Sequence, residues 1–211
     1  MNLLDPELVA FTVVATIVTV LPGADMALVA RSVLTRGRRA GYVTTLGICT
    51  GLWVHALASG IGLSAILVAS ATLFSVVKFL GALYLVALGL TSLLGALRGR
   101  AGAAPATIAT ARDARRAFLQ GLLSNVLNPK VALFYLTLLP QFVRPGDSLL
   151  VRSLLLAGIH VVIGLAWLFL YTYFLGRLDV VLRRPRVRNL LEGITGTVLV
   201  GLGARVAWDR R

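Results

Sequence analysis

The chain has 211 residues, of which 58% are hydrophobic and only 14% are charged, and its mean hydropathy is +0.88. These values exceed those of an average soluble domain and indicate an integral membrane protein. The formal net charge of +13 does not indicate nucleic-acid binding, because the arginines stand in short runs between long apolar stretches and form no stripe with interleaved aromatic residues.

The N-terminus lacks the features of a cleaved targeting segment. Residues 1–7 contain Asp5 and Glu7 but no basic residue, whereas a secretory signal peptide opens with a positively charged region. We therefore expect the first apolar segment to remain as a membrane span. The single cysteine, Cys49, lies in an apolar run and excludes an intrachain disulfide framework.

Apolar runs of the length that a bilayer requires, about 20 residues, predict six transmembrane helices. The predicted segments are 8–32, 41–67, 73–97, 117–142, 149–175 and 190–208. The first contains Pro22-Gly23 and the fourth contains Asn128-Pro129. Proline lacks a backbone donor and clashes with the preceding turn. We therefore predict that helices 1 and 4 are broken at proline inside the membrane.

The residues between the third and fourth segments, 98–116, are rich in Ala, Gly, Thr and Arg and are interpreted as a cytoplasmic linker. They divide the chain into a first three-helix repeat, 1–97, and a second three-helix repeat, 117–211. Because each half crosses the membrane an odd number of times, the second half must be inverted relative to the first. The predicted fold is an all-α integral membrane protein with two inverted three-helix repeats.

The two halves also match in the spacing of chemically distinctive residues. His55 follows Pro22 by 33 residues, and His160 follows Pro129 by 31. This agreement supports an internal repeat in which the two broken helices face each other.

The lysines and arginines are distributed unequally between the loops of the two sides. Fourteen lie on one side and six on the other, with Lys130 as the remaining cation inside a span. Cytoplasmic loops carry the excess of Lys and Arg. We therefore predict that both termini are periplasmic or extracellular.

Each proline break carries one ionisable side chain, Asp25 in the first and Lys130 in the second. A half-helix that starts at such a break points unpaired N–H groups and a positive dipole end into the protein. A free amino acid has one carboxylate and one ammonium group, so an acid and a base at two facing breaks would complement it. Paired breaks of this kind mark substrate sites in secondary transporters.

Structural roles are the alternative for both side chains. Asp25 would then be a helix N-cap, and Lys130 would pair with Asp25 to hold the two halves together. Because an ionised carboxylate is costly at the membrane centre, Asp25 is also a candidate proton carrier.

His55 and His160 are the only histidines and occupy matching places in the second and fifth spans. They are candidates for substrate contact or proton relay. The competing interpretation is that each is satisfied by a hydroxyl or carbonyl group of a neighbouring helix. Without cysteine or carboxylate neighbours they make a poor metal site, and we expect neither a metal nor a cofactor. Gly47, Gly51, Gly81 and Gly89 are interpreted as close-packing positions.

Seven motifs along the chain are informative. They are Leu21-Pro22-Gly23-Ala24-Asp25-Met26, Gly37-Arg38-Arg39-Ala40-Gly41, Leu46-Gly47-Ile48 to His55, Lys78-Phe79-Leu80-Gly81-Ala82-Leu83-Tyr84-Leu85, Phe118-Leu119-Gln120-Gly121 with Asn125, Asn128-Pro129-Lys130, and Leu139-Pro140-Gln141-Phe142. In these motifs the chain resembles the LysE/RhtB family of amino-acid exporters over nearly its whole length. Ala24 departs from the pattern, since many members have a second proline there.

The resemblance implies a secondary transporter of the bacterial inner membrane, driven by the proton-motive force, that exports amino acids or derivatives such as threonine, homoserine, leucine or lysine. It also implies a homodimer. The candidate substrate-binding residues are Pro22, Gly23, Asp25, His55, Asn125, Asn128, Pro129, Lys130 and His160. Asp25 and His55 are the candidates for proton coupling.

Two other functional classes stay open from the sequence. One is export of another small solute or a cation, although carboxylates, thiols and thioethers are scarce near the breaks. The other is a non-transport membrane protein. The chain contains neither HExxH nor GxSxG, so we expect no enzymatic activity. The expected partners are an amino acid, protons and the lipid bilayer.

Overall fold

The computed structural model describes residues 5–61, 71–97, 110–143, 146–177 and 185–208. All regular secondary structure in these residues is helical. The α-helices are α1 (Pro6–Val20), α2 (Ala24–Arg36), α3 (Arg38–Gly60), α4 (Ala71–Leu97), α5 (Ala111–Val126), α6 (Pro129–Leu133), α7 (Leu149–Arg177) and α8 (Pro185–Trp208). A π-helical turn, Phe134–Leu138, and a 3-10 turn, Leu139–Phe142, continue α6.

Several of these helices have the length and composition of membrane spans. Within the described residues, α3 and α7 are each long and apolar enough to cross a membrane, and α1 with α2 forms a third span if the bent pair is counted as one. Shorter apolar stretches occupy Ala82–Leu97 in α4 and Gly193–Leu202 in α8. The molecule is an all-helical, multi-pass membrane protein.

The first predicted break is present between α1 and α2. Leu21 has an extended conformation (φ −60°, ψ 121°), as expected of a residue that precedes proline. Gly23 is also extended and is the N-cap of α2. The two helix axes bend by 48° at this point.

The second predicted break is present between α5 and α6. Asn128 is the N-cap of α6, and its side-chain oxygen accepts a 3.1 Å hydrogen bond from the backbone N–H of Lys130. Pro129 occupies the first helical position, where the missing N–H costs nothing. The Asn-Pro-Lys sequence therefore ends one helix and starts the next.

The α5 helix begins earlier than the sequence suggested. Residues 98–109 of the predicted linker lie outside the described residues, but α5 already starts at Ala111. The reason is local, since Thr110 accepts a hydrogen bond from the backbone N–H of Asp113 and donates one to its carboxylate. Such a reciprocal pair is a strong helix start.

Glycines allow close approach of the helices, as predicted. A Cβ atom on Gly47 of α3 would overlap the backbone of Phe118 in α5. In the same way, Gly89 of α4 and Gly196 of α8 face each other, and a Cβ atom on either would lie within 2.8 Å of the partner's carbonyl oxygen. Small residues at such crossings let membrane helices pack backbone to backbone.

The largest core cluster lies on one side of the breaks and is called here the apolar cluster. Its buried members are Leu8, Phe11, Ala15, Leu52, Ala56, Val131, Phe134, Tyr135, Leu139, Leu156 and Ala157. They come from the first half of α1, the second half of α3, the residues after the second break and the start of α7. The opposite side, where α2 and α7 end and α3 and α5 begin, is called the arginine-rich end. Arg36, Arg38, Arg39, Arg112, Arg115, Arg116 and Arg177 lie there.

Arg152 connects several elements at the end of the molecule beyond the apolar cluster. Its guanidinium group contacts the carboxylates of Asp5 (3.1 Å) and Glu7 (3.3 Å) at the start of α1. It also donates a 3.0 Å hydrogen bond to the carbonyl of Phe142. This contact fixes the start of α1 and the end of the second broken helix against α7.

Candidate functional site

Asp25 lies in the first turn of α2 and faces the last turn of α5. Its Oδ2 atom accepts a 3.0 Å hydrogen bond from Nδ2 of Asn125, which is fully buried. Its Oδ1 atom is buried and has no hydrogen-bond partner in the part of the chain that the structure describes. Because the N-cap of α2 is Gly23, the interpretation of Asp25 as a helix cap is wrong. One carboxylate oxygen therefore remains available to a donor.

Asn125 owes its position to a glycine on α3. A Cβ atom on Gly51 would lie 2.5 Å from Oδ1 and 2.8 Å from Cβ of Asn125. The Asn125 side chain thus fills the space that a larger residue at position 51 would need. Gly51 is more than a packing residue, since it holds the amide that binds Asp25.

Lys130 lies in the first turn of α6 and faces the last turn of α1. Its Nζ atom donates hydrogen bonds to the carbonyl oxygens of Val18 (2.6 Å) and Leu21 (3.0 Å). The end of a helix leaves such carbonyls without partners and carries the negative end of the dipole. The ammonium group thus binds the exposed end of α1, although the charge of Asp25 also acts on it through space.

The two breaks are therefore joined in a reciprocal way. The second residue of α2, Asp25, binds a side chain in the last turn of α5. The second residue of α6, Lys130, binds carbonyls at the end of α1. Each second half-helix is thus tied to the first half-helix of the other broken span.

A cavity of about 50 Å³ lies between the two breaks. Six of the nine candidate residues line it: Gly23, Asp25, Asn125, Asn128, Lys130 and His160. Pro22 and His55 do not line it, and Pro129 is the first residue of α6. Since one water needs roughly 10–15 Å³ on this measure, the cavity has room for a few water molecules.

His160 forms a defined chain of hydrogen bonds at one wall of the cavity. Its Nε2 atom lies 3.1 Å from Oγ1 of Thr19, and its Nδ1 atom lies 3.3 Å from the hydroxyl of Tyr135. The Thr19 hydroxyl already donates to the carbonyl of Ala15 at 2.7 Å, so it accepts from His160. A neutral imidazole has one donor and one acceptor. His160 is therefore the Nε2–H tautomer, and Tyr135 donates to Nδ1.

His55 lies outside the cavity lining, on the far side of Tyr135. Its Nε2 atom is 3.1 Å from the carbonyl oxygen of Asn125, to which only a donor can bind. The Tyr135 ring stands between the two imidazoles, with centroid distances of 5.6 Å to His55 and 5.8 Å to His160. Both histidines are thus satisfied by groups on neighbouring helices, which was the competing interpretation.

Tyr135 and Thr19 are not among the site residues predicted from the sequence. Tyr135 is only 1% exposed and lies in the π-helical turn that follows α6. The signal for this distortion is Pro140, because a proline clashes with the carbonyl four residues earlier and disturbs the preceding turn. π-helical turns inside α-helices are frequent at functional sites.

The described residues contain no group of three or more His, Cys, Asp or Glu side chains that could hold a metal ion. Asp25 and Lys130 are the charged residues that line the cavity. The site therefore combines one acid, one base, two asparagines and two exposed helix starts. It is suited to a small polar molecule that carries both charges.

Fold and site together define a class of protein. Apolar helices that are broken at facing positions, with polar groups gathered at the breaks, are characteristic of membrane transporters, because irregular backbone at membrane depth is tolerated where it is enclosed by protein or lines a cavity.

Comparison with known proteins identifies the family. Residues 16–210 match the family of LysE type translocators. The chain belongs to this family, which confirms the resemblance drawn from the motifs. A family of translocators also agrees with the expectation of a transport protein that is not an enzyme.

Curated relatives cover nearly the whole chain. The uncharacterized membrane protein YrhP of Bacillus subtilis is 31% identical over 94% of this chain and 97% of its own length. The threonine efflux protein of Escherichia coli is 29% identical over 90% of this chain and 91% of its own length. The homoserine/homoserine lactone efflux protein of Salmonella typhimurium is 26% identical over 95% of this chain and 96% of its own length. No solved structure matches the chain.

Proposed function

We propose that this protein exports a small amino acid or amino-acid derivative from the bacterial cytoplasm across the inner membrane. The observation that carries the proposal is the cavity between the two breaks, which presents the carboxylate of Asp25 and the ammonium group of Lys130. Two relatives over nearly the full length are named for efflux of threonine and of homoserine or its lactone.

The orientation of the substrate follows from the unpaired groups. The buried Oδ1 atom of Asp25 has no hydrogen-bond partner among the residues that the structure describes, and it suits the three donors of a substrate ammonium group. The start of α2 at Ala24 supplies N–H groups and a positive dipole end for the carboxylate. Lys130, which packs 3.8 Å from the position of a Cβ atom on Gly23, adds its charge at the same end.

The charges favour a substrate with no net charge. One Asp and one Lys line the cavity, so a zwitterion keeps the site neutral. A second positive charge on the substrate, as in lysine, would meet no additional carboxylate among the lining residues. Burial of an uncompensated charge is costly. Threonine-like or homoserine-like substrates therefore fit better than basic amino acids.

Transport requires the cavity to enlarge. A volume of about 50 Å³ is too small for an amino acid, given that a cavity of roughly 150 Å³ is needed to bind benzene. We propose that the two halves are inverted repeats that rock against each other around the site. The packing of α3 on α7 and of α4 on α8 supports this arrangement, because equivalent helices meet on a two-fold axis.

The proton-motive force is the proposed energy source, with Asp25 as the leading proton carrier. Its support is the buried Oδ1 atom of Asp25, which accepts no hydrogen bond from the described residues. His55 is the weaker candidate, since it lies outside the cavity and donates to a backbone carbonyl. The arginine-rich end is assigned to the cytoplasm by the positive-inside rule, which places both termini outside.

The decisive experiment is efflux of labelled amino acids from preloaded proteoliposomes under a proton gradient, with and without a protonophore. We expect efflux of threonine-like substrates that stops when the protonophore is added, and little efflux of lysine. If folded, correctly oriented protein exports no member of the panel, the amino-acid proposal fails. Efflux that ignores the protonophore would reject the proton-motive force alone.

A further inference from the structure

A line of polar side chains connects the cavity with the arginine-rich end and is called here the polar seam. It runs between α2, α3 and α5 and consists of Asp25, Ser32, Arg36, Thr44, Gln120, Ser124 and Asn125. Along α2 the spacing of Asp25, Ser32 and Arg36 is seven and four residues, which places them on one helix face. The seam therefore reaches about 16 Å from Asp25 to Arg36, at 1.5 Å per residue.

The seam is held by hydrogen bonds between the helices, but some of its buried atoms lack partners. Thr44 donates to Ser32 at 2.9 Å, and Arg36 donates to Gln120 at 2.6 Å. Within the described part of the chain, the buried hydroxyl of Ser124 and Oδ1 of Asn125 have no hydrogen-bond partner. In the other direction from the cavity, the apolar cluster fills the space with aliphatic and aromatic side chains. The seam thus extends the polar lining of the cavity toward the arginine-rich end.

Arg36 is the unusual member of the seam. Its Nη2 atom contacts Oε1 of Gln120 and, at 3.3 Å, the hydroxyl of Ser32. Its Nε atom is buried and has no hydrogen-bond partner among the described residues. No described carboxylate forms an ion pair with it, and the nearby charges are Arg31, Arg116 and Asp113.

A partly buried guanidinium group that is bound only by neutral oxygens is expensive to maintain. Its five donors form a planar fork that fits a carboxylate with two parallel hydrogen bonds. Gln120 supplies a single oxygen, so the present partner uses only part of the fork. The charges near Arg36 are two arginines, Arg31 and Arg116, and one aspartate, Asp113, so the local electrostatic potential is positive. The missing partner is therefore an anion.

We propose that Arg36 is a carboxylate-binding station at the arginine-rich end of the polar seam, where the carboxylate of the substrate is bound before it reaches the cavity. The proposal rests on the function proposed above. Gln120 occupies part of the fork and closes the seam between α2 and α5. A substrate carboxylate replaces the neutral amide oxygen and opens this contact.

The first test compares Arg36→Gln and Arg36→Lys with the matched control Arg39→Gln, which removes an exposed arginine three residues away. Proteoliposomes are preloaded with labelled threonine and with one of two competitors, each in its own run. One competitor is a 2-hydroxy acid, which lacks the ammonium group, and the other is an amino alcohol, which lacks the carboxylate. We expect Arg36→Gln to weaken inhibition by the hydroxy acid on the order of tenfold or more, as a charged hydrogen bond implies, and to leave inhibition by the amino alcohol unchanged.

The other two variants separate the effect of the charge from that of the guanidinium geometry. Arg36→Lys, which keeps the charge but loses the fork, should fall between wild type and Arg36→Gln, and Arg39→Gln should match wild type. Equal weakening of both competitors by Arg36→Gln, or no weakening of either, would overturn the proposal. Wild-type efflux is established first, so a protein that exports no amino acid defeats the proposed function and not this inference.

A second measurement does not depend on transport. The thermal unfolding temperature of the purified full chain is measured in nanodiscs with increasing concentrations of the 2-hydroxy acid. A rise in wild type that is lost in Arg36→Gln supports the carboxylate station, since a ligand of the folded state stabilises it. An equal rise in both proteins would place the anion elsewhere and contradict it.

Discussion

Asp25 and Lys130 hold the same position in the two half-helices that follow the breaks, and each binds the last turn of the opposite broken span. One contact is made by an acid to an amide, the other by a base to carbonyl oxygens. The opposite charges thus line the same cavity.

Replacement of Asp25 by Asn should abolish proton-driven efflux. Asparagine keeps the size of the side chain and can still contact Asn125, but it cannot carry a proton or balance a substrate ammonium group. The measurement is efflux from proteoliposomes with an imposed proton gradient. Asp147→Asn, which alters a carboxylate 3.7 Å from Arg152 at the far end of the molecule, is the control. Normal gradient-driven efflux by Asp25→Asn would eliminate Asp25 as the proton carrier.

Replacement of Lys130 by Ala should lower both stability and substrate affinity. The carbonyls of Val18 and Leu21 lose their donor, and hydrogen bonds to a charged group that are only partly buried contribute about 1–2 kcal/mol. Unfolding and substrate binding are measured in the same nanodisc preparation, with the exposed Arg205→Ala as control. A loss of stability at unchanged substrate affinity would leave Lys130 with a structural role alone.

Much of this architecture is predictable from the sequence because proline acts locally. Pro22 and Pro129 remove backbone donors, and the helices end where the rule for residues before proline requires it. The residues that Asp25 and Lys130 contact across the breaks are harder to predict from the sequence. Asn125 lies 100 residues from Asp25, and Val18 lies 112 residues from Lys130. Periodicity indicates a buried face but does not specify which side chain on another helix meets it.

The contact of Arg36 with Gln120 and the position of Tyr135 were not predictable for the same reason. The first joins residues 84 apart, and the arginine runs are explained as well by topology. The second lies within the π-helical turn at Phe134–Leu138, whose residues depart from the 3.6-residue period that a regular helical wheel assumes. A regular helical wheel of the fourth span therefore places Tyr135 incorrectly.

Replacement of Gly51 by Ala should reduce efflux strongly without a direct change to any polar group. The new Cβ atom would lie 2.5 Å from Oδ1 of Asn125 and force that side chain away from Asp25. The matched control is Gly158→Ala, where the nearest atom to the new Cβ is 3.7 Å away on Trp53. Efflux and the unfolding temperature are measured for both. Wild-type efflux by Gly51→Ala would show that the position of Asn125 is not critical.

Replacement of Tyr135 by Phe should change the tautomer of His160 while the stacked rings remain. The variant removes the donor to Nδ1, so the preference for Nε2–H rests on Thr19 alone and the population of the other tautomer rises. Stability should fall by about 1 kcal/mol, the usual net value of one hydrogen bond. Because the chain has only two histidines, nitrogen-15 chemical shifts in a His55→Gln background report His160 without ambiguity. Tyr42→Phe, in which the ring packs edge-on against Phe169, is the control. An unchanged His160 spectrum in Tyr135→Phe would mean that Thr19 alone fixes the tautomer and that Tyr135 contributes only its ring.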